Sequence, residues 1–137
     1  MVIGRVLLAC LILVLLNSCG ESEEDVARKI AASEQLTRID QICAEFPKPP
    51  GFRLIKKGVS VNEDVKGVYY QYSSNQPFAS IANFYQDAGN RGQYLLVGEN
   101  YTEPEELISN IRFLRDDVGI TLERRPPAVI FSVSCLQ

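Results

Sequence analysis

The sequence predicts an α+β domain in which an N-terminal helix is followed by the order β-β-α-β-β-β-β, with helices covering one face of an antiparallel sheet. Three observations support this prediction. Residues 22–43 contain no Pro or Gly and place apolar side chains at helical spacing. Residues 78–88 repeat that spacing. Several short segments of alternating apolar and polar residues, separated by turn residues, are typical of strands.

The two helices are predicted from their starts, apolar faces and ends. The first begins at Ser22, which is followed by acidic residues that the helix dipole favours in a first turn. It is expected to run as one helix to Cys43, before a Pro-rich stretch at 47–51. The second follows Pro77, which suits a first helical turn, and ends at the Gly-Asn-Arg-Gly sequence of residues 89–92.

Six segments are predicted to be strands, and Gly58 interrupts the first of them. They are residues 52–61, 68–73, 94–97, 108–115, 118–124 and 128–136. In the last strand Cys135 alternates in phase with Phe131 and Val133, so its side chain is expected on the apolar face.

The first twenty residues are typical of an export signal. Arg5 gives the start a positive charge, and Val6–Leu16 is an unbroken apolar run of eleven residues. A run of this length is shorter than the ~20 residues that span a membrane as a helix. A basic start, a short apolar core and small residues after it are the features of a secretory signal peptide.

Leu16-Asn17-Ser18-Cys19 resembles the lipobox of bacterial lipoproteins, in which an aliphatic residue, a small residue and an obligatory cysteine surround the cleavage point. The resemblance implies cleavage before Cys19, diacylation of its sulfur and location in the cell envelope. Gly20 follows the cysteine in place of an aspartate, which favours the periplasmic side of the outer membrane if the bacterium is Gram-negative. An uncleaved short anchor and a cleaved signal without lipid are the alternatives.

The resemblance divides the chain into three parts. Residues 1–18 are the signal peptide, residues 19–46 the lipidated cysteine, spacer and N-terminal helix, and residues 47–137 the α+β globular domain. The third part also resembles a recurrent class of small exported bacterial domains without an assigned activity. That likeness rests on Pro50-Gly51, Phe84-Tyr85 and Gly92.

A disulfide between Cys43 and Cys135 is expected in the mature protein. Cys10 leaves with the signal peptide and Cys19 is acylated, so these two thiols remain in an oxidising compartment, where thiols tend to pair. Two separate buried thiols are the alternative.

Composition and motifs argue against most catalytic classes. The chain has no histidine, which excludes an imidazole base and the common zinc sites. Its formal net charge of −3 gives no basic excess for nucleic acid. We find no phosphate-binding glycine loop and no nucleophile motif. A non-enzymatic protein without a cofactor is therefore expected, and a hydrolase that uses a pair of carboxylates is a weaker alternative.

Two features are candidates for partner binding. Alternation places Tyr69 on the opposite strand face from Tyr70 and Tyr72, and exposed tyrosine offers large contact area at low entropy cost. The second feature is an acidic group in the segment 98–106, expected to be a loop. Its residues are Glu103, Glu105 and Glu106.

These features predict an envelope binding module that contacts another envelope protein or a glycan through a sheet face or this loop. The alternative is an inhibitor or immunity protein whose acidic loop plugs the basic cleft of a secreted toxin or lysozyme.

Overall fold

A computed structural model describes residues 21–100, 109–124 and 129–137. The helices are α1 (Glu23–Ala31), α2 (Glu34–Ala44), α3 (Phe78–Gln86) and α4 (Ala88–Arg91). The strands are β1 (Arg53–Val61), β2 (Lys66–Ser73), β3 (Leu95–Asn100), β4 (Ser109–Arg115), β5 (Val118–Arg124) and β6 (Ile130–Leu136). The predicted α+β class and the antiparallel sheet are confirmed.

The six strands form one sheet in the order β1-β2-β6-β5-β4-β3, and every neighbouring pair is antiparallel. The C-terminal strand β6 therefore lies inside the sheet, while β1 and β3 are its edges. The register shifts once in each edge strand, at Ile55 and at Val97. Such bulges are common at sheet edges, where they bend the strand and disturb further pairing.

The prediction of one continuous N-terminal helix is wrong, because the helix breaks between Ala31 and Glu34. Ser33 adopts an extended conformation, and its hydroxyl accepts a hydrogen bond from the backbone N–H of Leu36 at 3.2 Å. Serine thereby caps the second helix. Apolar spacing continues across the break, with Ile30 and Leu36 both buried, so periodicity gave no sign of it.

The core is one buried cluster that combines side chains of the sheet with side chains of the helices. Alternate residues of β2, β4, β5 and β6 are buried together with Val26 of α1, Ile39 of α2 and Tyr85 of α3. Phe46, between α2 and β1, stands at the centre of an aromatic group. Its ring centroid is 5.3 Å from that of Tyr85 and 4.9 Å from that of Phe113. Rings at these distances contribute beyond their buried area.

The predicted disulfide between Cys43 and Cys135 is present. It joins α2 to β6 with a Cα–Cα distance of 5.9 Å, and both cysteines are buried. The separation lies within the usual range for a disulfide. The bond fixes the second helix to a strand inside the sheet.

Three further boundaries differ from the sequence-based expectation. β1 continues through Gly58, and residues 98–100, expected to begin a loop, belong to β3. Residues 89–92 were expected only to end α3, but Ala88–Arg91 forms a separate helical turn, α4. The Asp87 side chain caps this turn by accepting a hydrogen bond from the backbone N–H of Gly89 at 2.8 Å. Within the described ranges, no helix combines the length and apolar character needed to cross a membrane.

Candidate functional site

We define the open face as the sheet face opposite the core. Strand register places three rows of its side chains side by side. The first row is Lys56, Gln71, Ser132, Glu123 and Asn110. The second is Gly58, Tyr69, Ser134, Thr121, Arg112 and Gly98. The third is Ser60, Gly67, Leu136, Gly119, Leu114 and Leu95.

Tyr69 lies on this face, as alternation predicted, whereas Tyr70 and Tyr72 are buried on the other. The hydroxyl end of its ring lies over Gly58 of the edge strand. A Cβ at Gly58 would stand 2.1 Å from Tyr69 Cζ and 2.2 Å from its hydroxyl oxygen. Glycine at position 58 therefore lets the ring lie across β1, and the ring in turn buries that glycine. This contact explains why the strand is not interrupted at Gly58.

Two other side chains lie over a glycine of the neighbouring strand. A Cβ at Gly98 would be 2.6 Å from Arg112 Nη2, and a Cβ at Gly67 would be 2.2 Å from Leu136 Cδ2. The side chains of Tyr69, Arg112 and Leu136 therefore lie over the neighbouring strand and do not project straight out from the sheet. The open face is therefore flat at these three positions.

The open face has a basic excess among the residues the structure describes on it. Arg53, Lys56 and Arg112 are basic, and Glu123 is acidic. The whole chain has a formal net charge of −3, so acidic residues are concentrated elsewhere. Because potentials add over a surface, such a face favours anionic partners over cationic ones.

The third row gives one end of the open face an apolar character. Leu95, Leu114 and Leu136 are 61%, 40% and 41% exposed. Gly119 stands between the last two, and a Cβ there would meet no atom nearer than 4.0 Å. The result is a shallow hollow of about 280 Å³ along Leu114, Gly119 and Thr121.

A polar cluster on the core side ties α2 to the first two strands. Lys57 Nζ is 2.9 Å from a carboxylate oxygen of Asp40, and Tyr70 donates its hydroxyl proton to the same carboxylate. Burial, followed by the hydrogen bond to Asp40, raises the pKa of Tyr70 well above its ordinary value. The phenol therefore keeps its proton at neutral pH and does not act as a base there.

A second cluster ties the end of α2 to β4. Arg115 donates to Glu45 at 2.7 Å and to the hydroxyl of Tyr94 at 3.0 Å, and Tyr94 donates to the carbonyl of Ile42. The hydrogen bond from Arg115 lowers the pKa of Glu45. Because Arg115, Glu45 and Tyr94 are hydrogen-bonded to one another, this cluster links the end of α2 to β4.

Several predicted site residues fall outside the described ranges. They are Cys19, Glu103, Glu105 and Glu106. The disulfide cysteines belong to the core and do not reach the open face. Among the residues the structure describes, no group of His, Cys, Asp or Glu is arranged to hold a metal ion.

Sequence reasoning did not predict that Lys56 and Arg112 share a face with Tyr69, or that a glycine lies beneath that tyrosine. Gly58 and Tyr69 are paired across the β1–β2 hairpin. An aromatic residue opposite a glycine in two consecutive predicted strands was the signal that could have indicated this contact. Placing Arg112 on the same face as Tyr69 needed the strand order, which brings β4 within three strands of β2. Comparison with protein-family models, curated proteins and solved structures finds no significant match to this chain.

Proposed function

We propose that the protein is a lipid-anchored protein of the bacterial cell envelope whose folded domain is a non-enzymatic binding module. The observation that supports the anchor is Leu16-Asn17-Ser18-Cys19 directly after an eleven-residue apolar run. Each buried acyl CH₂ contributes ~0.8 kcal/mol, so the two chains of a diacylated cysteine hold a protein on a membrane where one does not. Gly20 supports placement on the periplasmic side of an outer membrane if the bacterium is Gram-negative.

The open face is the surface that we assign to the partner. In this proposal the helices cover one face of the sheet. The opposite face then meets another envelope protein or a glycan. Its flat surface, its partly exposed Tyr69 and its basic excess support this assignment. The ion pairs of Asp40 and Glu45 link elements of the fold, which supports a binding role in preference to an acid–base enzyme.

The anchor is tested by replacing its cysteine. Cys19→Ser removes the acylated sulfur, so we expect the protein to move from the membrane fraction of cells to the soluble fraction. Cys10→Ser is the matched control, because that residue leaves with the signal peptide and its loss has no effect on a mature lipoprotein. Equal membrane retention of both variants contradicts the anchor.

The binding face is tested by photo-crosslinking in cells. A photoreactive phenylalanine analogue at position 71 lies in the first row of the open face, and the same analogue at exposed Glu34 lies on α2. We expect crosslinking from position 71, as a discrete product with a protein partner or as protein bound to the cell wall with a glycan, and none from position 34. Products from position 34 alone assign the partner to the helical side and contradict the open face.

A further inference from the structure

We propose that the open face binds the peptidoglycan of the bacterial cell wall, with a sugar ring stacked on Tyr69 and carboxylates of the attached peptides bound by Arg112 and Lys56. This inference rests on the proposed function, since an envelope anchor is what places the domain beside the wall. It adds the chemical class of the partner and the residues that recognise it.

Tyr69 supplies the stacking surface. The hydroxyl end of its ring lies over Gly58 of β1, and the residue is partly exposed on the open face. The face of an aromatic ring is negative, and it attracts the C–H groups that line one side of a sugar ring. A ring that is already held in place loses little conformational entropy when it binds.

The neighbouring positions supply hydrogen bonds for sugar hydroxyls. Gln71, Ser134 and Thr121 surround the tyrosine on the same face, and all three are partly exposed. Short hydroxyl and amide side chains both donate and accept, as sugar hydroxyls require. From Tyr69 on β2 to Arg112 on β4 there are three strand intervals, or ~14 Å at ~4.8 Å each, which is long enough for more than one sugar ring.

Charge complementarity selects an acidic glycan over a neutral one. Three basic residues and one acidic residue face the ligand, Arg53, Lys56 and Arg112 against Glu123, although the whole chain is negative. Arg112 is an exposed residue whose guanidinium lies over Gly98 at the far end of the row. The planar guanidinium matches a carboxylate, to which it can donate two parallel hydrogen bonds.

The same surface argues against a protein as the main partner of these rows. Protein interfaces are centred on apolar and aromatic side chains that become fully buried. On the open face Ile130 is exposed beyond the first row, and Leu95, Leu114 and Leu136 are exposed in the third row. A protein partner would depend on that row, whereas a glycan depends on Tyr69 and Arg112. Variants in the two places therefore separate the two classes of partner.

The test is co-sedimentation of the full chain, purified from membranes in detergent, with protease-treated peptidoglycan sacculi. We expect Tyr69→Ala and Arg112→Gln each to weaken binding about tenfold, an effect typical of losing one charge-assisted or stacking contact. Tyr69→Phe keeps the ring and is expected to bind within about twofold of wild type, as is Leu114→Thr. Added salt is expected to weaken retention because the carboxylate contacts are screened. Insoluble cellulose is the neutral control and is expected to retain none of the proteins.

Three results would overturn the proposal: wild-type protein that stays in the supernatant, equal retention of wild type and both weakened variants, or loss of binding in Leu114→Thr alone, which would place the glycan on the third row instead of on Tyr69 and Arg112. Circular dichroism of Tyr69→Ala verifies that the variant is folded, and Arg112→Gln changes an exposed side chain. If position 71 crosslinks in cells but sacculi retain nothing, the glycan is wrong and the envelope binding module stands. If crosslinking at position 71 and membrane retention also fail, the proposed function is wrong as well.

Discussion

Replacing Cys43 by Ala and Cys135 by Val removes the covalent link between α2 and β6 while leaving apolar side chains in a buried site. The two cysteines are 1% and 0% exposed, so a change to a charged residue would add a burial penalty and confuse the measurement. Alanine suits the helix and valine suits the strand. The double variant therefore measures mainly the effect of losing the disulfide on the free energy of unfolding.

The size of the effect follows from the loop that the bond closes. The cysteines are 92 positions apart, and the chain-entropy relation assigns a loop of this length ~4.6 kcal/mol at 25 °C. Domains of this kind are stable by ~5–15 kcal/mol in total, so the loss is a large fraction of the free energy of unfolding. With a urea m-value of ~1–3 kcal/mol/M, the midpoint is expected to fall by ~1.5–4.5 M.

The assay is urea unfolding followed by circular dichroism, since the chain has no tryptophan to report by fluorescence. Reduced wild type is the matched control and is expected to unfold near the midpoint of the double variant. A difference below ~1 kcal/mol between oxidised and variant protein would refute the reasoning, because it would mean that the crosslink barely restricts the unfolded chain.

Three further predictions concern packing and pH. Phe46→Ala removes the ring at the centre of the aromatic group and is expected to lower the free energy of unfolding by ~3–5 kcal/mol, measured by urea denaturation. Gly67→Ala is expected to destabilise the fold by ~1–3 kcal/mol, because the new Cβ would stand 2.6 Å from a backbone oxygen of Cys135, whereas Gly119→Ala in the same row is expected to be neutral in the same measurement. Stability is expected to fall in acid and in alkali, measured as the thermal midpoint against pH. The pKa of Glu45 is lowered by Arg115, so its contribution is present above its ordinary pKa of 4.5 and is lost as the pH falls further. Burial raises the pKa of Tyr72 from 10.0 to about 12, so its contribution is present below pH 10.0 and is lost as the pH rises through 12.

Each of these has a result that would count against it. An unfolding free energy for Phe46→Ala within ~1 kcal/mol of wild type would mean that the aromatic group repacks without the ring. Equal stabilities for Gly67→Ala and Gly119→Ala would contradict the close approach of β6 at Gly67. For the pH profile, Arg115→Gln is the control, because it removes the group that lowers the pKa of Glu45. An unchanged acid limb in that variant would exclude Glu45 as its source.

The fold class and the disulfide could be predicted because both depend on patterns within short stretches of chain. Alternation placed Tyr69 on the opposite strand face from Tyr70, and the predicted signal peptide and lipidation left Cys43 and Cys135 as the available pair. The split of the N-terminal helix at Ser33 could not be predicted from apolar spacing, because the cap is a local hydrogen bond that leaves that spacing intact. A serine followed by helical residues was the available signal.

The candidate site was predicted only in part, because it is assembled by pairing between distant strands. Tyr69 was found from its own strand, but its contact with Gly58 depends on hairpin register. Arg112 joins the same surface because β6 lies between β2 and β5, a strand order that no local pattern encodes. The role expected for Glu103, Glu105 and Glu106 stays a prediction, since these residues lie outside the described ranges.

The central claim, a lipid-anchored envelope protein, is tested most directly by the intact mass of the protein purified from membranes. The claim predicts the mass of residues 19–137, which is 137 − 18 = 119 residues, plus the mass of the acyl chains on Cys19. It also predicts a gain of two hydrogens on reduction, from the bond between Cys43 and Cys135. A mass equal to that of the full, unmodified chain would contradict the anchor and leave Cys10 and Cys19 as unmodified cysteines.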